Sequence, residues 1–163
     1  MYGWRRRPAI VSRVDAQGER LRRYARLAVE VGLNLQPGQT LGLNAGIEHL
    51  PLVRAVVDEA YRHGARYVDV LLADQRVRRE HIEHAAEADL GFSPPWLVER
   101  FKHLGRTGGA LMAITGAAEP ELFSDLDGHR VGLARMRDLA AASYELTDGL
   151  VNWTIVGCPN PGW

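Results

Sequence analysis

The sequence has 163 residues, and its 20 lysine and arginine side chains balance its 20 acidic side chains. A chain of this length can bury a core as one domain, and its neutral balance gives no long-range field that favours nucleic acid or an anionic membrane. The single cysteine excludes an internal disulfide, and no apolar run is long enough for a membrane span. We therefore predict a soluble, cytoplasmic protein with neither nucleic acid nor a membrane as a partner.

The amino-terminal part of the chain is predicted to be a tail followed by a helix. Residues 1–18 form the tail, and residues 5–8, RRRP, are a short basic cluster that we expect to be solvated. Apolar side chains at three- and four-residue spacings predict a helix over residues 19–31. Gly32 is a natural end for that helix.

A turn and a short apolar run predict the first strand. Pro37-Gly38 turns the chain, and residues 40–45 follow as a run too short for a helix. Gly42 and Asn44 share one face of this strand. Small residues on a strand predict that a helix packs closely over that face.

The next unit repeats the helix and strand pattern. Pro51 suits the first turn of a helix that Gly64 ends, and residues 67–72 are predicted to be a strand covered by helices on both faces. Asp69 is the polar exception in this strand. A functional carboxylate is one reading, but a carboxylate paired with an arginine or capping a neighbouring backbone is the favoured one.

The remaining pattern continues the alternation of helices and strands. In chain order it predicts helices over residues 74–88, 96–104 (with Trp96, Leu97 and Phe101 inward), 119–123 and 127–144, and strands over 110–115 and 152–157. Links long enough for crossovers indicate a parallel sheet. We predict one domain over residues 19–163, an open α/β fold of at least four mainly parallel strands with helices on both faces, and leave the strand order unspecified.

A possible metal site is the run of Glu80, His81, Glu83 and His84 in a predicted helix. Residues three and four apart share a helix face, so these donors can converge on a metal ion. The order matches no zinc-protease helix motif, however, and no further ligand pair is evident. A solvated, ion-paired face is the favoured interpretation.

Two glycine-containing runs can be compared with phosphate-binding loops. Residues 105–109, GRTGG, precede a strand, whereas a phosphate loop follows a strand and opens a helix, so a turn is predicted. Residues 44–46 do follow a strand but lack the rest of a dinucleotide or P-loop fingerprint. A nucleotide site is therefore disfavoured.

Nucleophilic catalysis has no support in the sequence. Cys158 has no evident histidine partner and is predicted to be a buried thiol at a strand end. Ser12, Ser124 and Ser143 lie in no Gly-x-Ser-x-Gly elbow.

Several segments together carry a family resemblance. Residues 24–40, YARLAVEVGLNLQPGQT, resemble the amino-terminal signature of thermophilic metalloaminopeptidases of the aminopeptidase T and aminopeptidase S type. Further similar segments follow in the same order, at residues 50–55, 60–68, 83–85, 119–122, 153–156 and 159–163. The resemblance runs from about residue 20 to the last residue.

This resemblance implies removal of amino-terminal residues from peptides by a water molecule activated between two metal ions, zinc or cobalt. It also implies that the ligands, Glu, Glu, His, His and Asp, lie in a carboxy-terminal domain that this sequence does not include. No residue here therefore inherits a catalytic, cofactor-binding or metal-ligating role. In the full-length family, the domain resembled here lines the substrate chamber and the proteins are homodimers.

Three functions follow as hypotheses. The first is the amino-terminal scaffold domain of a metal-dependent aminopeptidase, acting on peptides in its full-length context and inactive alone. The second is a standalone module that binds a protein or peptide. The third is a small nucleotide-binding α/β protein, which is ranked last because the phosphate loop is missing.

Overall fold

The computed structural model of the protein describes residues 10–149 and 151–160. Four strands form one parallel sheet in the order β2-β1-β3-β4, namely β1 Thr40–Gly46, β2 Tyr67–Ala73, β3 Ala110–Thr115 and β4 Asn152–Gly157. This confirms the predicted parallel α/β fold and adds the strand order. The basic cluster predicted at residues 5–8 lies outside the described residues.

Helices connect the strands. They are α1 Ile10–Leu27, α2 Leu50–Arg62, α3 Gln75–His84, α4 Pro95–Arg106, α5 Gly128–Leu133 and α6 Arg137–Thr147, with a π-helical segment at Ala28–Gly32 and 3-10 turns at Ile47–His49 and Glu87–Asp89. The first helix begins at Ile10 rather than at residue 19. Among the described residues, no helix is both long and apolar enough to cross a membrane.

One face of the sheet carries the main core. Leu41, Leu43 and Ala45 alternate along β1, and they pack with Met112 of β3 against α2 and the end of α1. Leu41, Leu43 and Met112 are fully buried. The period of two along the strands therefore places the largest apolar side chains under these two helices.

The opposite face is covered by α4 and α6. A Cβ on Gly42 would lie 2.8 Å from Leu104 Cδ2, so the absence of a side chain at this position lets α4 approach the sheet. Phe101 and Leu104 of α4 form a second core with Leu111 of β3, together with residues of α6. The close helix packing predicted from Gly42 is present, and helices lie on both faces of the sheet.

The interpretation of β2 as a strand covered on both faces is wrong. Its position at the edge of the sheet leaves Tyr67, Val70 and Leu72 exposed, at 58%, 38% and 39%. The apolar composition of a strand does not distinguish an edge position from a central one, because both can carry β-branched and aromatic residues.

Trp96 was predicted to face inward and is 69% exposed. It lies five residues before Phe101, which is about 140° around an α-helix, so the two side chains cannot share a stripe. The buried face of α4 instead runs through Phe101 and Leu104, with Val98 packed against it at the same three-residue spacing.

The chain between β3 and β4 also differs from the prediction. Residues 119–123 form turns rather than a helix, and the long helix predicted over 127–144 is divided into α5 and α6. Asp127 caps α5 by accepting from the backbone N–H groups of His129 and Arg130 at 2.7 and 3.1 Å. Arg130 then donates to carbonyls at the end of α3, which ties α5 to α3 instead of to the sheet.

Candidate functional site

The candidate site is a crevice at the carboxyl ends of the two central strands. The chain leaves β1 for α2 on one face of the sheet and leaves β3 for α6 on the other face. The β1 connection leads to β2 on one side and the β3 connection leads to β4 on the other. The connections thus diverge between β1 and β3, and in open α/β sheets ligands bind at such a switch point.

This switch-point crevice has a volume of about 430 Å³. It is lined by residues 46–49 after β1, residues 74–76 at the start of α3, and residues 114–120 with Leu122 and Phe123 after β3. Three loops that are distant in sequence therefore form one concave surface.

Two adjacent side chains of the 3-10 turn after β1 form the polar wall of the crevice. The Glu48 side chain is 23% exposed and that of His49 only 2%, with 3.8 Å between His49 Nε2 and Glu48 Oε1. A Cβ on Gly46 would overlap the Glu48 carboxylate, so this glycine lets the carboxylate lie against the end of β1. Strand geometry and a glycine together place a charged group at the crevice.

The polar atoms of this wall are not all paired. Within the described part of the chain, His49 Nδ1 and Gln75 Oε1 are buried and have no hydrogen-bond partner. Both residues line the switch-point crevice. A buried polar atom without a partner costs free energy, so its presence in a native structure needs an explanation.

The other charged residues of the crevice are satisfied by one another. Arg76 Nη2 donates to both carboxylate oxygens of Glu119, at 2.7 and 2.8 Å. Asp74 caps α3 by accepting from the Arg76 backbone N–H at 2.8 Å. With three acidic side chains and one arginine, the crevice carries excess negative charge, which disfavours a phosphate group.

Cys158 lies close to this wall, just beyond the end of β4. Its backbone N–H donates to the Thr115 carbonyl at 2.7 Å, and its side chain is partly buried against the main core. Burial raises the pKa of the Cys158 thiol, and the negative charge of Glu48 raises it further. A raised pKa lowers the fraction of thiolate, which is the reactive form. The side chain lies at a strand end as predicted, but it is partly buried rather than fully buried.

We predict that Cys158 alkylates slowly and that the rate depends on Glu48. Since the chain has a single cysteine, iodoacetamide labelling followed over pH should give a thiol pKa above that of an unstructured cysteine peptide. The Glu48→Gln variant should lower this pKa because it removes the nearby negative charge. Glu80→Gln, which removes an exposed carboxylate on α3, is the control and should change nothing. A wild-type pKa at or below the peptide value would contradict the assignment.

The four donors predicted in α3 do not converge. His84 Nε2 lies 3.4 Å from Glu80, Glu83 lies 3.6 Å from Arg79, and His81 Nε2 lies 3.3 Å from the Leu90 carbonyl. These contacts are those of an ion-paired, largely solvated helix face, which was the favoured interpretation. No group of three metal-ligating side chains is found in residues 10–149 and 151–160.

The preferred interpretation of Asp69 is confirmed. Arg100 Nε of α4 donates to Asp69 Oδ2 at 2.5 Å, and the same guanidinium donates to the Asp69 carbonyl and to Asn44 Oδ1 at 2.9 and 3.0 Å. Asp69 therefore anchors α4 to the sheet. Asn44 is engaged by the same arginine.

Sequence reasoning missed the main residues of the crevice. Glu48 and His49 lie three and four residues after the end of a predicted strand, and Gln75 begins the helix after the next strand. Since the carboxyl ends of parallel strands meet at one edge of a sheet, polar residues at those positions were the available signal. The strand order, which the sequence does not specify, was needed to bring the loops together.

Comparisons of the sequence and of the structure with known proteins identify the same family. The sequence pattern described as "Thermophilic metalloprotease (M29)" matches residues 17–163. Aminopeptidase T of Thermus thermophilus is 36% identical over 153 residues, and AmpS of Bacillus subtilis is 31% identical over 153 residues. The solved structure of wild-type AmpT from Thermus thermophilus superimposes with a TM-score of 0.82 over 89% of this chain.

The coverage of these matches is unequal. Each of these two relatives is matched by 92% of this chain, but the match spans only 37% of the relative's length. The chain likewise covers 37% of the solved AmpT chain. The matched part is the amino-terminal region of aminopeptidase T.

Proposed function

The chain belongs to the thermophilic metalloprotease (M29) family, and we propose that it is the amino-terminal scaffold domain of a metal-dependent aminopeptidase, without peptidase activity of its own. The observation that carries this proposal is the unequal coverage. Almost the whole chain matches aminopeptidase T, yet the match accounts for 37% of that protein. A match that covers 37% of a relative is best understood as one domain of it.

The described residues do not fit a pair of catalytic metal ions. Such a centre needs several convergent carboxylates and imidazoles. The switch-point crevice offers one imidazole, His49, and three carboxylates, of which that of Asp74 caps α3 and that of Glu119 pairs with Arg76. No group of three such ligands comes together within the described part of the chain. We therefore assign no catalytic metal ion to these residues. In this proposal the metal ions, zinc or cobalt, are held by the part of the longer family proteins that this chain does not match.

In this proposal the domain walls part of the substrate chamber of a cytoplasmic homodimer that acts on peptides. Exposed apolar side chains support this proposal, because they form a surface that another part of a larger protein would cover. Tyr144 of α6 is 78% exposed, and Trp153 and Ile155 of β4 are 48% and 60% exposed. These three side chains border an open groove of about 360 Å³ on the face of the sheet that α6 partly covers.

The proposal is tested by assaying the purified chain with a panel of aminoacyl-anilides in the presence of zinc or cobalt. The expected result is no turnover above that of the metal salt alone. Full-length aminopeptidase T in the same buffer is the positive control, since it shows that the metals and substrates are competent. Metal-dependent turnover by the chain would overturn the proposal.

A standalone binding module is the second candidate, and the groove at Trp153 and Ile155 is the observation that favours it. Calorimetric titration with a peptide library separates the two candidates. Saturable binding that a Trp153→Ala variant loses would favour a module. Absence of binding would favour a domain whose groove is covered by the rest of its own protein.

A further inference from the structure

Part of the chain outside the sheet has a small hydrophobic core of its own. Residues 75–91 and 117–134, here called the α3–α5 lobe, contain α3, the 3-10 turn after it, the turns that follow β3, and α5. Ile82, Leu90 and Ala134 are buried together. The partly buried side chains that pack on them belong to the same lobe, namely Ala85, Phe123, Leu126, Val131 and Leu133. This core is separate from the two cores that cover the faces of the sheet.

Arginine side chains join the two segments of the lobe. Arg79 of α3, whose side chain is 22% exposed, donates to the two carboxylate oxygens of Asp125 at 2.7 and 2.8 Å. Arg130 of α5 donates in the opposite direction, to the carbonyls of Ile82 and Ala85 at 2.8 and 2.6 Å. These hydrogen bonds begin and end inside the lobe. They therefore stabilise the lobe without fixing it to the sheet.

The lobe forms one wall of the switch-point crevice. Gln75, Arg76 and residues 117–120 line the crevice from the lobe, whereas residues 46–49 and 114–116 line it from the sheet. The crevice thus follows the boundary between the lobe and the sheet. Displacement of the lobe removes one of its walls.

Gly116 is one of the points where the chain passes from the sheet into the lobe. Its φ of +142° is a conformation that glycine adopts more readily than other residues. Its carbonyl accepts from the side chain of Asn160, beyond β4, at 2.9 Å. The chain is therefore anchored on the sheet side at Gly116 and enters the lobe directly after a flexible residue type.

We propose that the α3–α5 lobe opens from the sheet as one cooperative unit, and that this motion opens the switch-point crevice. Units with few buried apolar side chains open at a lower free energy than the core of a protein. The lobe is such a unit, and its bridge from Arg76 to Glu119 is largely exposed, at 70% and 48%, so that this bridge contributes little. The inference gives the crevice a movable wall and does not depend on the scaffold function.

Native-state hydrogen exchange of the full 163-residue chain tests the proposal. Exchange is followed by two-dimensional NMR at low concentrations of guanidinium chloride, where each amide reports the free energy of the opening that exposes it. The amides of α3 and α5 should share one free energy of opening. That value should be lower than the value shared by the amides of β1 and β3.

Variants separate opening of the lobe from unfolding of the whole domain. Arg79→Met on α3 and Arg130→Met on α5 should each accelerate exchange of both helices about tenfold, because a hydrogen bond to a charged group is lost from the closed lobe. Arg100→Met should accelerate the amides of β1 and β3 but leave the lobe at its wild-type rate, since opening the lobe does not break the contacts of Arg100 with β1 and β2. Arg106→Met, which removes an exposed ion pair, is the control and should change neither set.

Two results would overturn the proposal. If Arg100→Met accelerates the lobe and the sheet by the same factor, the lobe unfolds only with the whole domain. If Arg79→Met or Arg130→Met accelerates only the helix that carries the substitution, α3 and α5 open separately. Hydrogen exchange does not measure peptidase turnover, so failure of this proposal and failure of the scaffold function are distinguishable.

Discussion

Replacing Arg100 with methionine is expected to lower the free energy of unfolding by about 2–3 kcal/mol, because the substitution breaks a partly buried ion pair and leaves its partners unpaired. The Arg100 side chain is 18% exposed and that of Asp69 38%. Methionine preserves most of the volume of the arginine stem, so the loss reports on the polar contacts. Urea denaturation followed by far-ultraviolet circular dichroism measures it.

The contacts of Arg100 explain the size of this effect. One guanidinium holds the Asp69 carboxylate on β2, the Asp69 carbonyl and the Asn44 side chain on β1. Removing the guanidinium removes these polar contacts of α4 with two strands at once. The free energy of unfolding of Arg100→Lys should lie between those of the wild type and Arg100→Met. An ammonium group keeps the charge but cannot reach all three acceptors as the planar guanidinium does.

A matched control lies on the same helix. Arg106 pairs with Glu99 at the surface, where the two side chains are 57% and 59% exposed. Arg106→Met should leave the urea midpoint unchanged, since exposed ion pairs contribute little. Equal effects of the two substitutions would show that Arg100 acts as a surface charge and that the three contacts carry no stability.

Replacing Gly109 with alanine is expected to lower the free energy of unfolding by about 3 kcal/mol or more. This is the upper part of the range for overpacking a well-filled site. The added Cβ would lie 2.8 Å from the Thr40 carbonyl oxygen and 2.9 Å from Leu104 Cγ. The carbonyl belongs to the backbone of β1 and cannot move without disturbing the sheet. Thermal and urea unfolding of the variant measure the loss.

The neighbouring glycine provides the comparison. Gly108 has φ +63° and no atom within 4 Å of an added Cβ. Asparagine tolerates this left-handed conformation better than other side chains, so Gly108→Asn should be close to neutral. If Gly108→Asn is as destabilising as Gly109→Ala, the crowding at Gly109 is not the cause.

These two glycines also show what the sequence could predict. The run at residues 105–109 was interpreted as a turn because it precedes a strand, and the structure has that turn, closed by the Gly109 N–H donating to the Leu104 carbonyl at 2.9 Å. The interpretation succeeded because position relative to a strand is local information. The bounds predicted for β3 and β4 from local sequence patterns are the same as the observed bounds.

Other features depended on information that is not local. The exposure of Tyr67 and Leu72 follows from the edge position of β2, and the presence of Glu48 and Gln75 in one crevice follows from the strand order. Neither can be obtained from periodicity, which describes one element at a time. The helix predicted over 127–144 is likewise divided into α5 and α6, and α5 contacts the end of α3 through Arg130, which is distant in sequence from it.

Metal stoichiometry directly tests whether this chain is a scaffold domain without a metal centre of its own. The purified chain is dialysed to equilibrium against cobalt, and bound cobalt is measured by elemental analysis and by its visible absorption spectrum. We expect substoichiometric cobalt with the spectrum of the hydrated ion. Two cobalt ions per chain, with absorption bands of protein-bound metal, would contradict it.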